Sequence, residues 1–295
     1  MTVQLKGSIP ANMLPFDADL QIDEGQYRRH LDWLARGGVG GITTNGHAAE
    51  VSGTRPATVS SAIAGAYAES HAQAADLARE AEREGADALL VFPPNAMLFD
   101  GPQEMALERY SAISNAVSIG LVAFIYPAWT RMQVATETLV RACELANIVA
   151  IKDWSLDIAT YEHNFRAMRA LGRPISVLTS FSTNLLPSLA IGADGILSGH
   201  GSVIADLQAD LLRLVQAGAM AAAGELYGRI QILTAAVYRS PMVNMYTRMK
   251  EQLVMLGRLD SAHVRTPVTP LSDCERGELR RSLVEAGLLE PAQVA

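Results

Sequence analysis

Cysteine is scarce in this chain: two in 295 residues, Cys143 and Cys274, far apart and in helix-like stretches. That excludes a disulfide framework and fits reduced thiols in a cytosolic compartment. A basic balance is also lacking, with 24 Lys and Arg against 31 Asp and Glu and a formal charge of −7. A phosphate backbone needs a basic face, so a nucleic-acid partner is excluded. There is no run of five like charges, which removes a charged tail or polybasic anchor. The opening MTVQLKGSIP lacks the apolar stretch of a secretory leader, and the expected location is the cytoplasm. Residues 111–130 carry no formal charge, but Ser111, Ser114, Asn115, Ser118 and Pro127 interrupt them. Their apolar part has only the length of a strand, so no membrane span or membrane partner is expected.

What is present is the make-up of an ordinary globular protein, 49% hydrophobic and 19% charged. Short apolar runs alternate with helical patterns. Strands are expected at 7–14, 39–44, 61–67, 87–93, 121–127, 148–153, 175–181 and 195–199. Asp23 with Gln26, Ser70, Pro102 and Thr136 mark helix starts between them. EGADALLVF and IGADGILSG repeat one design, a Gly closing a helix just before a strand. Eight strands alternating with helices imply a parallel sheet closed into a (β/α)8 TIM barrel. Past residue 202 only helices are expected, at 203–217, 219–238, 242–257 and 272–288. The division is therefore a barrel over 1–217 and a C-terminal helical extension over 218–295. Met242, Met245, Met249, Leu253 and Leu256 form a packing stripe in that extension. One connection fits badly: 46–60, GHAAEVSGTRPATVS, shows no helical period, so the helix between strands two and three is expected to be short or missing.

IVAIKDWS, residues 148–155, places an ammonium where a buried strand ends. Alone, Lys152 reads as a snorkelling side chain as readily as a functional one. In a barrel, however, strand C-termini line the active-site mouth. Lys152 then shares one cavity with Tyr126 after strand five, Thr44 and Asn45 after strand two, and Ser198 to Gly201 after strand eight. Burial lowers a lysine pKa and yields a neutral amine that attacks carbonyls. A phenol can move the proton such chemistry needs, and backbone N–H groups at Asn45–Gly46 suit a carboxylate.

These residues resemble a known family. IPANMLPFDADLQID, GGVGGITTNGH, EGADALLVFPP, IYPAWT, VAIKDWS and IGADGILSGHGSVIADL, in that order, are similar to the dihydrodipicolinate synthase and N-acetylneuraminate lyase superfamily. The resemblance runs from about residue 7 to the C-terminal helices. It implies a lyase or aldolase in which Lys152 forms a Schiff base with pyruvate or another 2-oxo acid and makes or breaks the adjacent C–C bond, or dehydrates a sugar acid. It implies proton transfer by Tyr126, a role for Thr44, and carboxylate binding by Asn45 and Gly46, with His47, Ser198 and Gly199 lining the site. No cofactor is implied, and the partners are a 2-oxo acid, an aldehyde and further copies of the chain as a homodimer or homotetramer.

The chain departs from the family pattern in places. Thr44-Asn45-Gly46-His47 replaces Gly-Thr-Thr-Gly-Glu. FPPNAMLFD has no tyrosine, and YPAWT has no arginine before its threonine, with Arg131 following it. A true dihydrodipicolinate synthase is thus a secondary reading, as is a catalytically silent binder of a 2-oxo or sugar acid. His47 and Glu50 stand three apart with no further ligand at metal spacing, so no metal is expected. His200, between glycines at the strand-eight end, reads either as part of a phosphate position common in such barrels or, preferred here, as a tight turn behind the substrate, and His30, His71, His163 and His263 are expected at the surface. Trp33 and Trp154 are expected to pack, and Trp129 to wall the pocket. Met97, Leu98 and Phe99 are expected to be exposed and to form a dimer seam.

Overall fold

The computed structural model describes residues 4–44, 61–180 and 182–291. Eight strands appear where the apolar runs place them: β1 (Gly7–Pro10), β2 (Ile42–Thr44), β3 (Ala62–Ala66), β4 (Ala88–Val91), β5 (Gly120–Ile125), β6 (Ile148–Asp153), β7 (Ser176–Thr179) and β8 (Gly195–Ser198). All neighbours are parallel, in the order β1-β8-β7-β6-β5-β4-β3-β2. The ring closes between β1 and β2 through an Ala11–Thr43 bridge, where the Asn12 N–H donates to the Thr43 carbonyl at 3.1 Å. The strands read as continuous apolar runs because both faces are covered. Leu90, Phe92, Val122, Phe124, Leu178 and Leu197 fill the barrel. Their neighbours Leu89, Val91, Leu121, Ala123, Ile151 and Val177 form the outer core layer.

Helices α1 (Glu24–Arg36), α2 (His71–Arg83), α3 (Glu104–Ser114), α4 (Thr136–Ala142), α5 (Ile158–Ala170), α6 (Leu185–Ile191) and α7 (Ala205–Gln216) separate or follow the strands. The 46–60 connection, with its expected short helix, lies outside the described residues. Asp23 caps α1, accepting from the Gln26 N–H at 2.9 Å and its side-chain amide at 2.7 Å. Ser70 and Gln73 form a reciprocal capping box on α2. Gly85 and Gly192 take the left-handed conformation, φ +87° and +119°, that ends a helix before a strand. Two starts differ from the sequence reading. Pro102 closes a turn ahead of α3 and stands outside the helix proper. Thr136 is the first helical residue and not the cap, because its hydroxyl is drawn into a 2.7 Å hydrogen bond to Asn164 of α5.

Three further helices follow, α8 (Met220–Val237), α9 (Met245–Met255) and α10 (Asp273–Glu285). Leu233, Met249, Leu253 and Leu283 are buried in their shared core, so the methionine stripe packs as expected. Arg248, fully buried on α9, donates to the carbonyls of Val237 (3.1 Å), Arg239 (2.6 Å), Ser240 (3.4 Å) and Pro241 (3.3 Å). It thereby satisfies acceptors that the end of α8 leaves without helical partners. Among the described residues, no helix is long and apolar enough to cross a membrane.

Two surface assignments are corrected. His30 is buried, because it shares the inner face of α1 with Tyr27, Leu31 and Leu34. Its Nε2 lies 2.9 Å from the Ser202 hydroxyl, and burial pushes its pKa down to about 3. Met97 is buried too: the turn at Asn95–Phe99 rotates it into the outer core and leaves Leu98 and Phe99 at the surface.

Candidate active site

Strand alternation aims Lys152 of β6 into the barrel, while Asp153 faces the helices. Lys152 is 3% exposed, and Phe124 is its register partner on β5. Its Nζ lies 4.2 Å from the Phe124 ring centroid. Burial pushes its pKa down from 10.5 to about 7. The ring opposes this by favouring the ammonium, by about 2 kcal/mol when desolvated. Burial prevails, because each pH unit below the ordinary value corresponds to about 1.4 kcal/mol.

The strand end beneath the amine is held firmly. The Asp153 carboxylate accepts from the Ser155 N–H and from the Asn164 amide, both at 2.8 Å, and its carbonyl accepts from the Ser180 N–H at 2.7 Å. Asn164 in turn accepts from Thr136. Three elements therefore converge on the residue next to Lys152. Burial raises the Asp153 pKa, and the hydrogen bonds from Asn164 and Ser155 oppose that.

Tyr126 directly follows β5 and is 5% exposed. Its ring lies 4.5 Å from Phe124 and 5.9 Å from Trp154, centroid to centroid. Burial pushes the phenol pKa well above its ordinary 10, and the nearby phenols of Tyr246 and Tyr67 add to the rise. The group therefore holds its proton at neutral pH.

Lys152 opens onto a pocket walled by Ala11, Phe124 and Trp154, with Ser180 and Gly199 from the ends of β7 and β8. Tyr238, Met245 and Met249 complete it from the C-terminal helices. Gly199 thus lines the same pocket as Lys152. Ser198 lies behind the wall, its hydroxyl 3.1 Å from that of Ser182 and accepting from Gln208 at 3.3 Å. Thr44 is absent from this lining, and its hydroxyl donates to the Ile63 carbonyl at 3.5 Å. Asn45, Gly46 and His47 lie outside the described residues, as does Glu50. No cluster of metal-ligating side chains occurs among the described residues. His200 is fully buried between Gln252 (3.1 Å) and Thr234 (3.4 Å). Trp129, expected as a wall, is 65% exposed because its turn faces outward, whereas Trp154, expected only to pack, lines the pocket.

Sequence reading missed Phe124, Ser180, Tyr238 and the pocket faces of Met245 and Met249. The first two carried a signal: Phe124 shares a strand face with Tyr126 by the period of two, and Ser180 follows a strand end. The others carried none, since their place depends on how α8 and α9 lie across the mouth.

Comparison with known proteins agrees with this architecture. The profile of the Dihydrodipicolinate synthetase family matches residues 58–286. The 4-hydroxy-tetrahydrodipicolinate synthase of Nitrobacter hamburgensis is 29% identical, covering 97% of this chain and 98% of its own. That of Neisseria meningitidis serogroup B is 28% identical over 97% of this chain and 100% of its own. Dihydrodipicolinate synthase from Thermotoga maritima superposes with a TM-score of 0.86 at 23% identity, over 97% of this chain and all of that one. The Acinetobacter baumannii enzyme, solved with pyruvate, gives 0.85 at 25% identity over the same shares. A prophage family member from E. coli K12, also solved with pyruvate, gives 0.88 at 21% identity over the same shares. With the family profile spanning most of the barrel and reaching into α10, the chain belongs to the dihydrodipicolinate synthetase family and is a lyase of the class I aldolase type.

Proposed function

We propose that Lys152 forms a Schiff base with pyruvate or a related 2-oxo acid and that the chain makes or breaks the adjacent C–C bond. The observation carrying this reading is the buried Lys152 amine at a barrel-strand end, its pKa pushed down to about 7. At neutral pH about half of such amines are neutral, against one in a few thousand at the ordinary value. The pyruvate complexes of two structural relatives support the choice of ligand.

The amine adds to the ketone carbon, and the ketone oxygen leaves as water. The resulting iminium draws electrons, so the neighbouring methyl group gives up a proton, which the departing oxygen takes as it leaves as water, and becomes an enamine carbon. That carbon bonds to an aldehyde carbon, whose oxygen takes a proton from the Tyr126 phenol. Water then hydrolyses the iminium and restores the amine. The reverse sequence is cleavage. Asn45 and Gly46 are assigned the substrate carboxylate, with His47 and Gly199 shaping the site around it and Thr44 and Ser198 supporting it from behind the lining. Use of aspartate semialdehyde, as in a true dihydrodipicolinate synthase, is disfavoured because residues 92–100 hold no tyrosine and residues 126–130 no arginine. The chain is assigned to the cytoplasm and to a homodimer.

Borohydride reduction in the presence of pyruvate tests the reading. One reduced pyruvate per chain is expected on Lys152, and none on Lys152→Arg, since a guanidinium stays protonated. The assignment is easily read, because Lys6 and Lys250 are the other two lysines. Unchanged trapping in Lys152→Arg would overturn it. Trapping without turnover on any aldehyde or 2-oxo acid would instead favour the silent binder.

A further inference from the structure

We infer that the carbonyl partner of the Lys152-bound 2-oxo acid carries an uncharged apolar group, aryl or branched alkyl, selected by Met245 and Met249. This rests on the Schiff-base reading above and names the substrate class for it. Ala11, Phe124, Trp154, Met245 and Met249 give the pocket hydrocarbon, aromatic and thioether walls. Among its described lining residues Lys152 is the sole formal charge, and the imine engages that nitrogen. Tyr238, the polar group from the C-terminal helices, has its hydroxyl hydrogen-bonded to Ser182 and Ser198.

Residues four apart share a helix face, so Met245 and Met249 meet the pocket together. Arg248 lies beside them on α9 but turns to the carbonyls of Val237, Arg239, Ser240 and Pro241. It offers no cation to the pocket. Instead it fastens α9 to the end of α8 and so keeps Tyr238 and the two methionines in place. A carboxylate or phosphate on the aldehyde would shed water against thioether and ring carbons with no guanidinium among these walls, and an unpaired buried charge is strongly disfavoured. An apolar group meets the same walls favourably, and methionine adapts to irregular shapes. The balanced reaction joins pyruvate and R–CHO into a 4-hydroxy-2-oxo acid. One C–C bond forms, the aldehyde π bond breaks, and the proton lost from the methyl group is matched by the one Tyr126 delivers to the new hydroxyl.

The test supplies the purified full chain with pyruvate and, separately, benzaldehyde, isobutyraldehyde and succinic semialdehyde, and measures 4-hydroxy-2-oxo acid by mass spectrometry. An apolar aldehyde is expected to exceed succinic semialdehyde in kcat/KM by about tenfold or more. Met249→Gln is expected to raise KM for that aldehyde about tenfold, whereas Met249→Leu stays within a few-fold of wild type. Equal or better use of succinic semialdehyde overturns the inference, as does trapping of pyruvate with no condensation to any of the three, or a Met249→Gln enzyme with wild-type KM. Failure of pyruvate trapping itself strikes the Schiff-base reading and takes this inference with it. Trapping followed by the wrong aldehyde preference strikes this inference alone.

Discussion

Lys152 and Phe124 are register partners across the β5–β6 ladder, and the Lys152 amine stands 4.2 Å from the centre of the Phe124 ring. The ring face attracts the ammonium while the barrel interior disfavours it. The balance leaves the amine half neutral near pH 7. The neutral fraction of the amine is thus set by which of two local effects is larger.

This balance predicts a pH profile. Imine formation needs the neutral amine, so the trapping rate with pyruvate should rise about tenfold per pH unit well below 7 and level off above about 8. Phe124→Leu removes the attraction of the ring and should move the midpoint down by about one pH unit. A midpoint that stays near 10 in the wild type would contradict the role of burial.

The same shift is a statement about stability. The folded value of about 7 lies below the ordinary 10.5, so between those pH values the unfolded chain holds the proton and the folded chain does not. Stability therefore rises from about pH 7 to about 10.5, and the cost of the buried ammonium is fully present below 7. Lys152→Met removes that cost. It should be more stable than wild type at pH 6 by on the order of a few kcal/mol, and the gap should close by pH 10.5. Urea unfolding of both proteins across this range measures it, and a variant less stable at pH 6 would contradict the argument.

The barrel was legible in the sequence because its strands are buried on both faces. GLVAFI and IVAIKD cannot be exposed elements, and the Gly85 and Gly192 turns announce β4 and β8. The places of Lys152 and Tyr126 at strand ends were legible for a related reason, since a barrel collects its strand ends at one mouth. What stayed hidden depends on packing between distant segments. His30 could be read as exposed because nothing local announces Ser202 across the core. Met245 and Met249 looked like packing residues, and they are, but the Arg248 clamp that turns them toward the pocket links residues up to eleven positions apart. Thr136 looked like a helix cap until Asn164, from another helix, took its hydroxyl.

Tyr126 stands outside the lining of the Lys152 pocket, behind Phe124 and Trp154, and burial keeps its proton in place; the proposed function gives it the task of delivering that proton to the reacting oxygen. Tyr126→Phe preserves the ring packing on Phe124 and Trp154 and deletes only the hydroxyl. Turnover should fall by about two to four orders of magnitude, while borohydride still traps pyruvate on Lys152. Steady-state rates beside mass spectrometry of the reduced adduct separate the two effects. Wild-type turnover would make Tyr126 a pocket wall.

The last prediction concerns the mouth of the barrel. Phe99, in the loop after β4, is 86% exposed, Leu98 is 40% exposed, and Trp129, in the loop after β5, is 65% exposed. Arg131 pairs with Asp100 at 3.1 Å and ties these two loops together, so the exposed rings belong to one region of the surface. Burying each large side chain in a subunit contact contributes on the order of 1.5–3 kcal/mol, which favours a dimer through this face. Light scattering coupled to size exclusion should find a dimer at micromolar concentration. Phe99→Asp places a charge in the seam and should shift the protein to a monomer without lowering its thermal midpoint by more than a few degrees, because Phe99 contributes little to the monomer core. A wild-type monomer at all concentrations would refute the seam, and Phe99 and Trp129 would then be expected to guard the pocket entrance.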